Sequence, residues 1–524
     1  MVYPLAASPR RTPWGRNPRY VDVYFCPSLN NGSRTVWALL LAYKLIDSNL
    51  MDTLFSTLPL VLDNNPVEVL KRKPPMKNSE DFALSTTFNP CIIHALLSPG
   101  CPLISLSFQH SFHLPSWNAS FSVFADLLPR GDSRKPFTHE TIVADLLPLF
   151  LAYYGLAVLV QLPNTRKLRL VVLPPVLVVA WRIGTQYCYP PSPADVYNAN
   201  SSQFVHFTFI VALRAIELAV SKNTFQRVRF SQLPPDAPDN LVTQVKGALL
   251  NGFDLILNWR GIGWYWGRGT YVPPVDPGST PAPSVFRHVK DAIKMAMLLD
   301  LMIHIRQTLG IAPAPGRVAH PAGTSVFDPT LPPVQREIKA IIITFVCLVS
   351  LYALMRVFFA TSACVGIVLF GQDREQWPPL FQEPWRAGSV SEFWGARWHQ
   401  TYKRLFVVCG AKPVSQLFGR VGGVLGAFFV SGVMHDVQLW GLGLGAEPES
   451  VTLFYVMMGV GCVLEAWWSR ITGRTVKGWL GWIWMLMWSF FWGRFLVDAW
   501  TRRGFGMGPL TSDVWRPSMY MTKV

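Results

Sequence analysis

Residues 341–370 form an apolar run of thirty positions in which Arg356 is the only charge. A soluble surface helix must alternate an apolar stripe with a polar face, and this run has no polar face to offer. A bilayer's hydrocarbon core needs about 20 apolar residues in a helix, so the run is long enough to span, either as one tilted helix or as two broken ones. Comparable stretches recur at Ile142–Gln161, Phe204–Val220, Val421–Leu444, Val451–Trp468 and Trp479–Trp500. The last begins and ends in Trp, as segments anchored at both membrane interfaces do.

Two further stretches are ambiguous. Leu170–Trp181 is short and carries Pro174-Pro175, which predicts a broken or re-entrant helix. Ala292–Leu309 is amphipathic, with Asp300, His304 and Arg306, and fits either the membrane surface or the inside of a bundle. The expectation is an all-α, polytopic transmembrane helix bundle of roughly seven to nine spans. Composition agrees: 15% of residues are charged against about 25% in soluble domains, and the mean hydropathy is +0.25. Residues 1–140 mix Pro- and Ser-rich stretches with short apolar pieces such as Val36–Leu45 and read as an N-terminal extension. The membrane domain is expected over 141–505, with a tail at 506–524. Residues 221–290 and 310–333 read as loops, and 371–420 as a polar segment. The N-terminus has no apolar core of a cleavable signal peptide.

The net charge is +16, but the basic residues fall in clusters between apolar runs, such as Arg166, Lys167 and Arg169. Cytosolic loops flanking membrane spans carry such an excess, so the charge argues for a lipid bilayer rather than nucleic acid as partner. The eight cysteines show neither CxxC nor metal-ligand spacing, and no metal site is expected. The pair Arg214 and Glu217, three apart inside an apolar run, should meet on one helix face and turn into the protein.

Soluble catalytic signatures are missing. There is no GxSxG elbow, no HxxxxD, no HExxH and no P-loop, and the glycine pair of Arg260-Gly261-Ile262-Gly263-Trp264 fails as a phosphate loop because residue 266 is Trp. Chemistry must come from elsewhere. SGVMHDVQLW, residues 431–440, places His435 and Asp436 inside an apolar run, where ionisable groups cost several kcal/mol and mark function more often than packing. On a helix the two side chains diverge by about 100°, so Asp436 should serve a neighbouring element rather than His435. SVSEFWGARWHQTYKRLF, residues 389–406, would as a helix align Trp394, Trp398, Tyr402 and Leu405, with Ser391 as N-cap, His399 turned inward and Arg397, Lys403 and Arg404 available to an anion. An interfacial helix with Trp at the headgroups explains that stretch equally well.

The two segments together, FWGARWHQ at 393–400 and SGVMHD at 431–436, with histidines 36 residues apart, resemble the wax synthase-like branch of the membrane-bound O-acyltransferases. Arg260–Trp264 is similar to an upstream element of its fungal members. The resemblance covers roughly residues 200–500. It implies a multi-helix membrane bundle with a tunnel admitting acyl-CoA from the cytosol, His435 as general base and His399 in support. It also implies Trp394, Arg397, Trp398, Lys403, Arg404 and Asp436 as substrate-side residues, with no bound cofactor. The fungal branch acetylates terpenoids and meroterpenoids, so acetyl-CoA and a hydrophobic alcohol are the expected substrates and the endoplasmic reticulum or another endomembrane the expected location. Two other readings stand beside it: a long-chain wax or sterol ester synthase of the same fold, and a proton-coupled transporter with Arg214–Glu217 and His435–Asp436 as its relay.

Overall fold

The computed structural model describes residues 134–189, 199–227, 241–268, 270–273, 284–311, 323–372 and 374–505. Most of the extension expected at 1–140, including Val36–Leu45, and the tail at 506–524 lie outside the described residues. The long helices are α1 (His139–Leu159), α2 (Arg166–Gln186), α3 (Ala199–Val220), α4 (Leu241–Leu257), α5 (Ser284–Thr308) and α6 (Pro333–Phe370). After two short turns of helix, α7 (Val390–Glu392) and α8 (Lys403–Phe406), come α9 (Lys412–Trp440), α10 (Val451–Thr472) and α11 (Gly478–Arg502). The described strand content is one two-residue parallel pair, Lys135–Pro136 with Tyr187–Cys188. Among the described residues, seven helical segments are long and apolar enough to cross a membrane. Their outer faces carry large apolar side chains such as Leu151, Val178, Phe345 and Phe358. The protein is an integral, multi-pass, all-α membrane protein.

Three expectations change. First, α2 is not broken at Pro174-Pro175 but runs for 21 residues. Arginines near its two ends are paired. Arg169 is buried and donates to the carbonyls of Leu218, Ala219 and Ser221, closing the C-terminal end of α3, and Arg182 pairs with Asp145 at 2.8 Å. Membrane helices tolerate prolines that would break a helix in water. Second, α4 lies within the stretch read as a loop at 221–290. Its 17 residues fall short of a span and are interrupted by Lys246 and Asp254, which hid it from a length criterion.

Third, the end of the polar segment expected at 371–420 is helical, and residues 403–440 form a helical hairpin whose second arm is the helix expected from Val421. The chain reverses at Phe418–Gly419, where Gly419 adopts φ 63°, ψ −158°, a combination that essentially only glycine occupies. The two arms then pack through glycines: a Cβ at Gly410 would strike the Gly426 carbonyl oxygen, so the backbones touch. The tip, Leu417, Phe418 and Val421, is exposed.

The long run from Ile341 is one helix, α6, whose 38 residues extend about 57 Å. The lone charge of the run 341–370, Arg356, pairs with Asp291 of α5 at 2.5 Å, so α5 packs along α6 while leaving Ile293, Met297 and Leu301 exposed. Arg214 and Glu217 form a buried ion pair as expected, and Arg404 joins it. The core divides into two helix groups. One holds α1 to α4 with Trp264 and Trp266. The other holds α6 and α9 to α11. Ile210 and Leu213 of α3 meet Leu405 and Met434 at the seam between them.

Candidate active site

The seam is where the ionisable groups of the apolar spans converge. α3 and the second arm of α9 run antiparallel there, pinned by Ser202 Oγ donating to the Gln438 carbonyl at 2.8 Å. One turn further along, the rings of His206 and His435 lie 5.9 Å apart. The His435 ring also stacks on Tyr455 of α10 at 4.6 Å with the planes 5° apart. This parallel stacking in a packed seam fixes the imidazole plane.

His399 comes from the stretch between α7 and α8, whose shape differs from the continuous helix expected at 389–406. Ser389, not Ser391, is the N-cap, accepting from the Glu392 backbone N–H at 2.9 Å. A single wide turn, Phe393–Arg397, follows, and the helix stops at Trp398, which turns extended. The side chain of Gln400 then donates back to the Trp394 and Trp398 carbonyls at 3.0 and 2.7 Å, replacing the helical bonds lost at the break. The stripe of Trp394, Trp398, Tyr402 and Leu405 is therefore not a helix face. The break instead sets Trp398 and Tyr402 against His399. Trp398 lies 5.7 Å and Tyr402 6.0 Å from the His399 ring, while Trp394 lies 5.9 Å from Tyr455. Tyr402 also reaches His206 at 5.8 Å, so one phenol ring bridges the histidines of α3 and of the 393–402 stretch.

Two groups outside the motifs hold this stretch in place. Glu465 of α10 accepts hydrogen bonds from the backbone N–H groups of Val390 (2.6 Å) and Ser391 (2.9 Å) and from Trp484 Nε1 (2.9 Å). Arg260, nearly buried, donates to the carbonyls of Pro378 and Pro379 at 2.9 and 3.0 Å. The turn that carries it needs its glycines. Gly261 and Gly263 have φ of 72° and 79°, and the Gly267 backbone packs directly on Gly261. The stretch 260–264 is thus a clamp on the segment leading to His399.

The electrostatics follow from burial. His399 is enclosed by aromatic rings. Desolvation, then the nearby His435 and Arg260, pushes its pKa from 6.5 down to about 3, so it is neutral at physiological pH. Burial alone lowers Arg260 to about 10 and raises the Tyr402 phenol above its ordinary range. A neutral imidazole offers one donor and one acceptor. The Nδ1 atoms of His206 and His399 and the Nε1 of Trp394 are shielded from solvent and have no hydrogen-bond partner among the described residues.

The remaining sequence-predicted residues lie around this centre in different ways. Asp436 points away from His435, as the helix geometry required, and accepts from the Glu447 backbone N–H at 2.8 Å in the turn to α10. Arg397 pairs with Glu392 at 2.7 Å, Lys403 donates to the Gly395 carbonyl at 2.8 Å, and Arg404 pairs with Glu217 and donates to the Trp266 carbonyl at 2.9 Å. Each of these cations is engaged by the protein. Arg404 nevertheless borders an open cavity of about 1240 Å³ lined by Glu217, Lys222, Phe225, Trp266 and Lys412, where Lys222 and Lys412 are exposed. Glu217, on the cavity wall, lies eleven residues along α3 from His206, about 16 Å.

The comparisons with known proteins fall on the same residues. Residues 377–457, which hold the clamp contacts, His399 and His435, match the profile of the "Membrane bound O-acyl transferase family". The chain is 27% identical to acetyltransferase spyB of Aspergillus fumigatus over 25% of this chain and 27% of that protein. It is 28% identical to a long-chain-alcohol O-fatty-acyltransferase of Simmondsia chinensis over 25% of this chain and 39% of that protein. The match to O-Mevalon transferase yanI of Aspergillus niger is longer, at 25% identity over 52% of this chain and 66% of that protein. The chain thus spans about a quarter to two fifths of the first two of these relatives. Through residues 377–457 the chain is similar to the membrane-bound O-acyltransferase family.

Proposed function

We propose that the protein is an O-acyltransferase that moves an acyl group, acetyl in the first reading, from acyl-CoA to a hydroxyl of a hydrophobic alcohol such as a terpenoid or meroterpenoid. The observation that carries this reading is the convergence of His435 and His399 at one buried seam, within the segment matched to the family. An alcohol is a weak nucleophile and needs a positioned base. His435, held flat on Tyr455, accepts the hydroxyl proton as the oxygen attacks the thioester carbonyl carbon. The C–S bond breaks, and the CoA thiolate takes the proton back from His435. His399 is neutral and donates to the carbonyl oxygen as negative charge develops there. The thioester already has a good leaving group, so no acyl-enzyme and no bound cofactor enter the scheme.

The donor's phosphates need cations that the protein has not already paired. Arg397, Lys403 and Arg404 are engaged internally, so we assign that role to exposed Lys222 and Lys412 on the rim of the cavity beside Arg404. In this scheme Arg397 and Lys403 shape the 393–402 stretch. The acceptor enters from the bilayer, and the basic segment before α9 faces the cytosol, as the positive-inside rule requires. We place the protein in the endoplasmic reticulum or another endomembrane.

The second reading keeps the chemistry and lengthens the acyl chain. It is favoured by the Simmondsia chinensis relative, whose name specifies a long-chain alcohol and a fatty acyl group. The experiment supplies membranes bearing the protein with equimolar labelled acetyl-CoA and palmitoyl-CoA, together with terpenoid alcohols and hexadecanol, and identifies the ester by mass spectrometry. Acetate esters of terpenoids support the first reading, and palmitate esters replace it with the second. Absence of any ester with every pair would overturn both.

A further inference from the structure

His206 belongs to neither motif, yet it is the histidine nearest to His435 for which a ring distance is seen, at 5.9 Å. It enters the seam from α3, where Ser202, one turn earlier, is tied to the Gln438 carbonyl of α9. Its Nδ1 is shielded from solvent and has no hydrogen-bond partner among the described residues, although the ring itself remains partly accessible. An orphaned buried nitrogen is destabilising, and a fold that only needed to fill the space would do better with Phe or Leu. Position along the helix adds direction. Gln203 and Phe207, on either side of His206 in sequence, are exposed on the outer surface of α3, with Phe207 at 42%. His206 therefore stands between the lipid-facing side of α3 and the imidazole of His435, while His399 and its aromatic wall approach from the other helix group.

We propose that His206 is the residue that holds the acceptor alcohol, its Nδ1–H donating to the hydroxyl oxygen while that hydroxyl's own proton points to His435. This rests on the acyltransferase reading and assigns the acceptor side of the same site. With one lone pair engaged by His206 and the O–H bond directed at His435, the oxygen's remaining lone pair is left for the thioester carbon. His206 neither gains nor loses a proton in the step. The proton leaves for His435, the new C–O bond forms, the C–S bond breaks, and the thiolate is reprotonated from His435.

The role separates His206 from a packing residue by geometry. The side-chain nitrogen of Asn overlays Nδ1 of His, whereas that of Gln overlays Nε2. The experiment compares wild type, His206→Asn, His206→Gln and His206→Phe, matched for membrane accumulation and thermal melting. It measures KM for the alcohol and for acyl-CoA, and equilibrium binding of radiolabelled hexadecanol and farnesol to purified protein without donor. Loss of one hydrogen bond to the acceptor should raise the alcohol's KM and weaken its binding about tenfold in the Phe and Gln variants. The acyl-CoA KM should stay unchanged, and Asn should recover most of the loss. If Phe collapses the fold, the split between Asn and Gln still decides. Equal alcohol KM and binding in Asn, Gln and wild type would overturn the assignment of His206 alone. A wild-type protein that binds alcohol without acylating it would overturn the acyltransferase reading while the binding series still tests His206. A wild-type protein that neither binds nor acylates any alcohol overturns both.

Discussion

Removing Glu465 should release the segment that carries His399 while leaving His435 in place. The Glu465 carboxylate accepts three hydrogen bonds, from Val390 N, Ser391 N and Trp484 Nε1, and is 6% exposed. Each buried donor left without an acceptor costs about 1–3 kcal/mol, so Glu465→Ala forfeits roughly 3–9 kcal/mol before relaxation. The Gln variant is milder. One oxygen serves both Val390 and Trp484 and can be kept by the amide oxygen, while the amide nitrogen then faces the Ser391 N–H, a loss of about 1–3 kcal/mol. A penalty of this size falls on the short α7 turn and the break at Trp398, which hold less structure than the long helices and open first. The assay measures initial acyl-transfer rate and thermal melting on matched purified protein, with limited proteolysis mapping where the chain opens. The order should be wild type above Gln above Ala, with new cleavage at 389–402. An Ala variant that melts, resists protease and turns over like wild type would refute the claim that Glu465 positions His399.

Other outcomes follow from the same geometry. His399→Asn should keep partial activity where His399→Ala loses about 3–4 kcal/mol of transition-state stabilisation, as measured by initial rates, because Asn still donates but cannot take a proton. The pKa of His399 is lower in the folded protein than in the unfolded chain, so the unfolded state binds the extra proton. Stability should therefore fall as pH drops from about 6.5 toward 3, and His399→Asn should flatten that part of a melting-versus-pH curve. Arg260→Lys should lose about 1–3 kcal/mol in denaturation, because a single ammonium cannot reproduce the fork that reaches both Pro378 and Pro379. Gly410→Ala should splay the hairpin and lower the melting temperature more than Gly395→Ala, since a Cβ at 410 strikes the Gly426 carbonyl and one at 395 meets open space.

How far the sequence could be read depended on which forces act locally. The spans were legible because hydrocarbon imposes a length and a charge limit on each helix separately, and the Arg214–Glu217 pair was legible because three residues on a helix bring side chains together whatever surrounds them. The helix α2 was not, because Arg169 is accommodated by carbonyls some fifty residues away, and a proline pair reads locally as a break. The hairpin at 403–440 was hidden for a similar reason. Its reversal rests on Gly419 and on glycine contacts between its arms, whereas hydropathy sees only a polar stretch before an apolar one. At the site, His435 stood out as an ionisable group in an apolar run. His206 sits in another such run, but Arg214 and Glu217 drew the reading there, and nothing local ties residue 206 to residue 435. Glu465, an acid inside the apolar run 451–468, carries the same local signal as His435. Its partners at 390, 391 and 484 become visible only once the helices are packed.

The central claim is that His435 is the base of an acyl-transfer reaction, and its most direct measurement is the single-turnover rate of transfer from labelled acyl-CoA to an alcohol in wild type and His435→Ala, in membranes matched for protein and melting temperature. The account predicts a fall of about 10²–10⁴-fold with the protein still inserted and folded, since that is what a general base contributes. A folded His435→Ala protein that keeps more than about a tenth of the wild-type rate would contradict it.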